Sequence, residues 1–286
     1  MKNVAIVGVG LMGGSLGLAL KKRGGWRVMG LARREATLRE ARRRGAIDEG
    51  STAPDRILPQ ADVVVLCSPV DKIVPLARAY RRHLKPDALL MDVGSVKDPI
   101  VRSLEALFSA PNGPVFVGAH PMAGSEKTGV TNARADLYRG AICAITPTRR
   151  TPTHRVGQAA RFWKSVGAKV LLIDPATHDR AVALVSHLPH LIADALMRST
   201  RDGAGAAVSQ SLLHTLAAGS FRDATRVAGA DPALWRGIFT LNDGPVRQAL
   251  RLFQKELVLL ARRRWALPDL RQAQKWNTVF RSGNIP

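Results

Sequence analysis

Along the first 174 residues, short apolar runs alternate with segments in which apolar positions recur every three or four residues. The runs Val4–Val9, Arg27–Leu31, Val63–Ser68, Ala88–Val93, Val115–Gly118, Ala141–Thr146 and Val170–Ile173 read as strands. Runs this continuously apolar suit a parallel sheet covered on both faces, because both sets of alternating side chains are then buried. Between them lie helical patterns such as Leu38–Arg44, closed by Gly45, and Ile73–His83, stopped by Pro86. A turn marked by Pro147, Arg149, Arg150 and Pro152 leads into a further helix near Arg155–Val166. The alternation predicts an α/β fold, a doubly wound sheet over residues 1–174.

After Asp174 and Pro175 the texture changes, and apolar residues recur only at helical spacing, which predicts an all-helical domain over residues 175–286. Pro189 should perturb a first long helix at Ala176–Thr200, Asp231-Pro232 and Pro245 mark helix starts, and Leu267-Pro268 precedes the last helix. Near the end, Ala249, Leu250, Leu252, Phe253, Leu257, Val258, Leu259 and Leu260 are apolar on more than one helical face. One small domain cannot bury that much, so a homodimer through the helical domain is expected.

Composition narrows the class. The 46% hydrophobic and 23% charged fractions are those of a globular chain. No run reaches the roughly 18 apolar residues of a membrane span, so no membrane association is expected. The apolar stretch Val4–Val9 starts too early for a secretory signal, and Cys67 and Cys143 lack metal or disulfide spacing and read as buried thiols. A cytoplasmic location follows as the expectation. The 43 Lys and Arg against 22 Asp and Glu give a net charge of +21. The arginines are scattered along helices and aromatics are only 5%, which argues against a nucleic-acid partner and for a field that gathers small anions.

Gly8-Val9-Gly10-Leu11-Met12-Gly13 follows the first strand and opens a helix, the context of a dinucleotide-binding, Rossmann-type turn. Gly8 serves the tight turn, Gly10 the approach of a pyrophosphate, and Gly13 the packing of helix on sheet. An NAD site usually has an acidic residue at the end of the second strand. This chain reads Gly30-Leu31-Ala32-Arg33-Arg34 there, with Asp48 and Glu49 arriving after the next helix. Arg33 and Arg34 can pair with a 2′-phosphate, so NADP is favoured over NAD, although both can equally be surface arginines.

Several blocks in order resemble the prephenate and arogenate dehydrogenases of tyrosine biosynthesis. They are the glycine turn, Cys67-Ser68-Pro69-Val70, Asp92-Val93-Gly94-Ser95-Val96-Lys97, Gly118-Ala119-His120-Pro121-Met122-Ala123-Gly124-Ser125-Glu126, His187-Leu188-Pro189-His190, and Phe221-Arg222-Asp223-Ala224-Thr225-Arg226 through Trp235-Arg236. The resemblance implies oxidative decarboxylation of prephenate to 4-hydroxyphenylpyruvate, with hydride passing to NAD(P)+ in a cleft between the two domains. It implies that His120 binds and polarises the 4-hydroxyl, a role suited to an imidazole titrating near neutrality. Ser95 would orient histidine, hydroxyl and nicotinamide, and as a residue preceding Val96-Lys97-Asp98 it also reads as a helix N-cap. Arg226 would grip a substrate carboxylate, and Ser68 and Pro69 would lie beside the cofactor.

His187 and His190, three apart on one helical face, would face the substrate side chain. That spacing also suits a metal, but no third ligand cluster is visible and hydride transfer needs no metal, so none is expected. Glu126, Gly219 and Trp235 would border the substrate; the tryptophan could come from the partner subunit or be a core residue. Arogenate remains the rival substrate, its ammonium a partner for Glu126 as the ketone of prephenate is for His190. A β-hydroxyacid or imine reductase shares the architecture, and a basic cofactor- or nucleic-acid-binding module without turnover is the non-enzymatic alternative. The histidine block after the fifth predicted strand argues against both.

Overall fold

The computed structural model describes residues 2–110, 112–125, 127–203 and 208–283. Eight strands, β1 (Lys2–Val7), β2 (Trp26–Leu31), β3 (Glu49–Ser51), β4 (Val63–Leu66), β5 (Leu89–Asp92), β6 (Val115–Pro121), β7 (Ile142–Thr146) and β8 (Lys169–Leu172), form one sheet in the order β3-β2-β1-β4-β5-β6-β7-β8. The order reverses between β1 and β4, so a crevice opens at their C-terminal ends, where open α/β sheets bind ligands.

Helices α1 (Leu11–Arg23), α2 (Glu35–Arg43) and α6 (Thr153–Ser165) cover one face; α3 (Pro54–Ile57), α4 (Val70–Tyr80) and α5 (Asp98–Leu107) cover the other. Alternation along β1 shows why the strands are so apolar. Val4 and Ile6 enter one core layer with Leu16, Leu38 and Trp163, while Ala5 and Val7 enter the second with Ile73 and Ile100.

Two features depart from the expected sheet. The strand β3 was not foreseen, because Glu49-Gly50-Ser51 carries no apolar residue; its backbone pairs with Met29–Leu31 through hydrogen bonds alone. And β7 runs antiparallel to β6, since the connection between them has no covering helix. That connection instead lies on α1, where Val130 and Ala133 fill the gap beside Gly14 and the Tyr138 hydroxyl donates to the Met12 carbonyl at 2.7 Å. The first strand also sits two residues earlier than Val4–Val9, because Gly8 adopts φ +94° and ends the extended run.

The rest of the described chain is helical: α7 (Pro175–Val182), α8 (Leu188–Asp202), α9 (Gln210–Leu216), α10 (Gly219–Thr225), α11 (Pro232–Leu241), α12 (Asp243–Arg262) and α13 (Leu267–Ser282). The expected long helix is present as α7 and α8 joined by a π-helical turn at Ala183–His187. Pro189 explains the turn, since it has no N–H for the Val185 carbonyl and its ring crowds that oxygen. From α11, Ile238 packs into the sheet's second core layer, tying the helical region to α4. By contrast α12 buries only Val246 and Ala249, and α13 buries nothing.

Candidate active site

The glycine turn fits a dinucleotide. A Cβ on Gly8 would stand 2.5 Å from the Cys67 carbonyl oxygen, and one on Gly13 would stand 2.2 Å from the Gly8 oxygen, so turn, β4 end and helix need glycine at both places. Around Gly10 nothing lies within 4 Å of such a Cβ, which leaves open space directly before α1. No side chain caps α1, so its first N–H groups are free for an anion. Leu11 and Met12 are half-buried in the first turn of α1, and Ser68 and Pro69 lead from β4 into α4 on the other side of the turn.

No carboxylate follows β2 before α2. Asp48 accepts from the Val28 N–H at 2.8 Å and pairs with Lys21, and Glu49 pairs with Arg27 at 2.8 Å. Both are committed to the sheet edge. Ala32 is half-buried at the end of β2, while Arg33 and Arg34 are exposed with side chains free of ion pairs among the described residues.

At the C-terminal end of β6, His120 is fixed by its backbone and by its ring. The Asp92 carboxylate accepts the N–H of Ala119 and of Gly94, each at 3.0 Å, and forms a fully buried ion pair with Lys97. The Lys97 ammonium also donates to the Ala119 carbonyl at 2.9 Å, so both polar groups of the residue before His120 are held. The His120 Nδ1 lies 2.9 Å from His178 Nε2, and His178 Nδ1 lies 2.8 Å from Asp179 Oδ1.

A carboxylate only accepts, so His178 carries its proton on Nδ1 and presents a lone pair from Nε2; His120 then donates from Nδ1. The consequence is a lone pair on His120 Nε2, the nitrogen that makes no hydrogen bond among the described residues. Burial, reinforced by His178, Lys97 and His187, holds the His120 pKa well below the ordinary histidine value, so the ring is neutral.

Asp179 does more than orient His178. Its carboxylate accepts the N–H of Lys97 at 2.7 Å and of Asp98 at 2.8 Å, the free donors at the start of α5. Thus α5 is capped from α7, which corrects the reading of Ser95 as its N-cap: α5 starts at Asp98, too late for Ser95 to reach. Ser95 is half-buried in the preceding loop.

The same network extends into the helical region. Asn242 donates from Nδ2 to the Asp179 carbonyl at 2.9 Å and lies 3.0 Å from His187 Nδ1. The Asn242 amide donates there too, so the His187 proton is on Nε2, a buried N–H without a partner among the described residues. Burial lowers the His187 pKa to about 4, and burial also lowers that of His190. The ring of His190 stacks on Trp235 of the same chain, centroids 3.6 Å apart and planes within 14°.

The structure therefore brings His120, His187, His190 and Trp235 together, and it places two other expected site residues at the surface of elements that pack on α8. Arg226 is exposed at the head of a 3-10 turn, Arg226–Gly229, that packs on α8, and Gly219 is exposed at the start of α10. Glu126 lies outside the described residues. Among the described residues no three His, Cys, Asp or Glu side chains are grouped to hold a metal ion, and no helix is long and apolar enough to cross a membrane. His178, Asp179 and Asn242 were missed from the sequence. The only signal for the first two was an adjacent His and Asp near the start of a predicted helix.

The prephenate dehydrogenase nucleotide-binding domain model matches residues 16–172, and the prephenate dehydrogenase dimerization domain model matches residues 174–264. The chain belongs to the prephenate dehydrogenase family. The family match makes it an oxidoreductase built from a nucleotide-binding domain and a dimerization domain.

A cyclohexadienyl dehydrogenase of Zymomonas mobilis is 34% identical over 84% of this chain and 81% of its own length. A prephenate dehydrogenase of Bacillus subtilis is 33% identical over 84% of this chain, which spans 64% of that relative. Among solved structures, the prephenate dehydrogenase of Aquifex aeolicus in complex with hydroxyphenyl propionate and NAD+ superposes with a TM-score of 0.90 at 35% identity, covering 100% of this chain and 99% of that one. The arogenate dehydrogenase of Synechocystis superposes with a TM-score of 0.82 at 30% identity, covering 99% and 100%.

Proposed function

We propose that this family member oxidises prephenate rather than arogenate, uses NADP+, and employs His120 Nε2 as the acceptor of the 4-hydroxyl proton. The observation that carries the reading is the directional chain from Asp179 through His178 to His120, which leaves one lone pair at the end of β6. The nicotinamide, when bound at the glycine turn, supplies the hydride acceptor. The hydroxyl proton passes to His120, hydride leaves the same carbon, and the bond to the ring carboxylate breaks. Its electron pair completes the aromatic ring as carbon dioxide departs, and the phenolate oxygen takes the proton back from His120. Asp179 and His178 stabilise the imidazolium that forms, and substrate carboxylates raise the basicity that burial alone depresses.

In this reading Ser95 orients the hydroxyl and nicotinamide, Arg226 closes on a carboxylate, and Gly219 and Glu126 border the entrance. The His187 Nε2–H favours prephenate, because a buried donor satisfies a ketone or carboxylate and would oppose an ammonium. His190 and Trp235 form a flat aromatic wall beside it. NADP+ is favoured by Arg33 and Arg34, exposed and free of ion pairs among the described residues, and by the commitment of Asp48 and Glu49 to other partners.

The dinucleotide-binding unit ends at residue 174, one residue before α7 starts, and residues 175–286 form the substrate and dimerisation unit. The homodimer forms through the apolar faces of α12 and α13. Free Cys67 and Cys143 suit a reducing cytoplasm.

Steady-state assays with prephenate and arogenate, each with NAD+ and NADP+, test the substrate and cofactor choice. The expected ranking puts prephenate with NADP+ first by at least about tenfold in kcat/KM, roughly one charge-assisted hydrogen bond on each side. A preference for arogenate or for NAD+ would overturn that part of the reading.

A further inference from the structure

We propose that a cleft at the opposite end of the strands is a second binding site, for a small multivalent anion carrying phosphate or carboxylate groups. The cavity, about 530 Å³, opens at the N-terminal ends of β1, β4 and β5 and is walled by α6. The glycine turn and His120 lie at the C-terminal ends of these or neighbouring strands, roughly 20 Å away at about 3.3 Å per residue. The volume is in the range of small-molecule sites.

Charge is what distinguishes this cleft. Two of its cations are neutralised: Lys85 pairs with Asp62, and Arg155 lies 3.4 Å from Asp87. Three others that line it, Lys2, Arg23 and Arg161, have neither ion pair nor side-chain hydrogen bond to the described residues. Like charges facing one concave space repel each other and concentrate the field there, which an anion bridging them relieves. The Arg155 side chain is only 12% exposed and donates to Gln158 at 3.0 Å. Its Nε is buried without a partner among the described residues, so its charge at the wall of the cleft is only partly satisfied. The half-buried Trp26, held edge-on by Phe162 with centroids 5.5 Å apart, gives the wall a rigid side.

The test is calorimetric titration of the full chain with tripolyphosphate and, separately, with citrate, in metal-free buffer. It compares the wild type, an Arg23→Glu/Arg161→Glu double variant and an Arg78→Glu control on the exposed face of α4. The cleft predicts that at least one of the two anions binds the wild type and the control alike and binds the double variant at least tenfold more weakly, while KM for the nicotinamide cofactor stays the same in all three. Selectivity for tripolyphosphate would identify a phosphate ligand, and selectivity for citrate a carboxylate ligand, either supporting the site. Equal affinity in all three proteins, a loss in the control matching that in the double variant, or no binding to the wild type would overturn it.

Discussion

His120 gains its chemistry from what surrounds it. A lone imidazole at a strand end can serve as donor or acceptor, and the Asp179 carboxylate two bonds away in the network decides which. Burial that depresses the pKa of His120 and of His187 has an observable consequence in acid. A histidine held neutral in the folded chain contributes stability above its unfolded pKa, near 6.5, and that contribution is lost as pH falls toward the folded value, about 4 for His187. Thermal midpoints should therefore fall steadily between pH 6.5 and 4. The acid limb of kcat/KM should lie below 6.5, the value of an unperturbed histidine. A limb at or above that value would show that the free imidazole is not desolvated.

At the scale of elements, one residue links three of them. Asp179 on α7 caps α5, carries His178 toward β6, and is bound through its carbonyl by Asn242 at the head of α12. Asp179→Asn puts an amide donor against backbone N–H groups that need an acceptor. The expected loss is about 1–3 kcal/mol of stability by denaturant titration and on the order of tenfold or more in kcat, with cofactor KM little changed. A stable variant with wild-type kcat would remove Asp179 from the account.

This network also marks where sequence reading stops. Six strands were legible because a doubly covered sheet demands apolar runs, β8 was legible from its apolar run although its side chains are largely exposed, and the glycine turn was legible because backbone approach at Gly8 and Gly13 admits only one residue type. Glu49-Gly50-Ser51 was not, because a short edge strand needs only backbone pairing. The direction of β7 was set by what its connection packs against, and a hydrophobic pattern does not encode that. Pro189 announced a perturbation without saying it would be a π-helical turn. His178 and Asp179 acquire meaning only from Lys97, His120 and Asn242, which are distant in sequence and converge in space.

For the whole molecule, the helical region is the part that a single chain leaves unfinished. Leu252, Leu257, Val258, Trp276 and Phe280 are all about half exposed, and α13 buries no residue of its own. Exposed apolar surface of this extent marks a protein interface, and the match to a dimerization domain spans α12. Leu257→Glu would place a charge in the middle of that face. Sedimentation equilibrium should show a dimer for the wild type and a shift of at least about tenfold in the dissociation constant for the variant, near 1.4 kcal/mol. An unchanged dimer would put the interface elsewhere. The positive charge of the whole chain, +21, adds long-range attraction for dianionic prephenate and the phosphates of the cofactor, so KM for both should rise with salt.

The most direct test of the central claim is single-turnover hydride transfer from prephenate in a His120→Asn variant, followed by cofactor absorbance with saturating substrate and cofactor. Asparagine retains side-chain polarity and cannot take up the hydroxyl proton. The rate of the chemical step should fall by on the order of 10²–10⁴-fold while the dissociation constant for prephenate changes by less than about tenfold. A variant that transfers hydride at the wild-type rate would contradict the assignment of His120 as the proton acceptor.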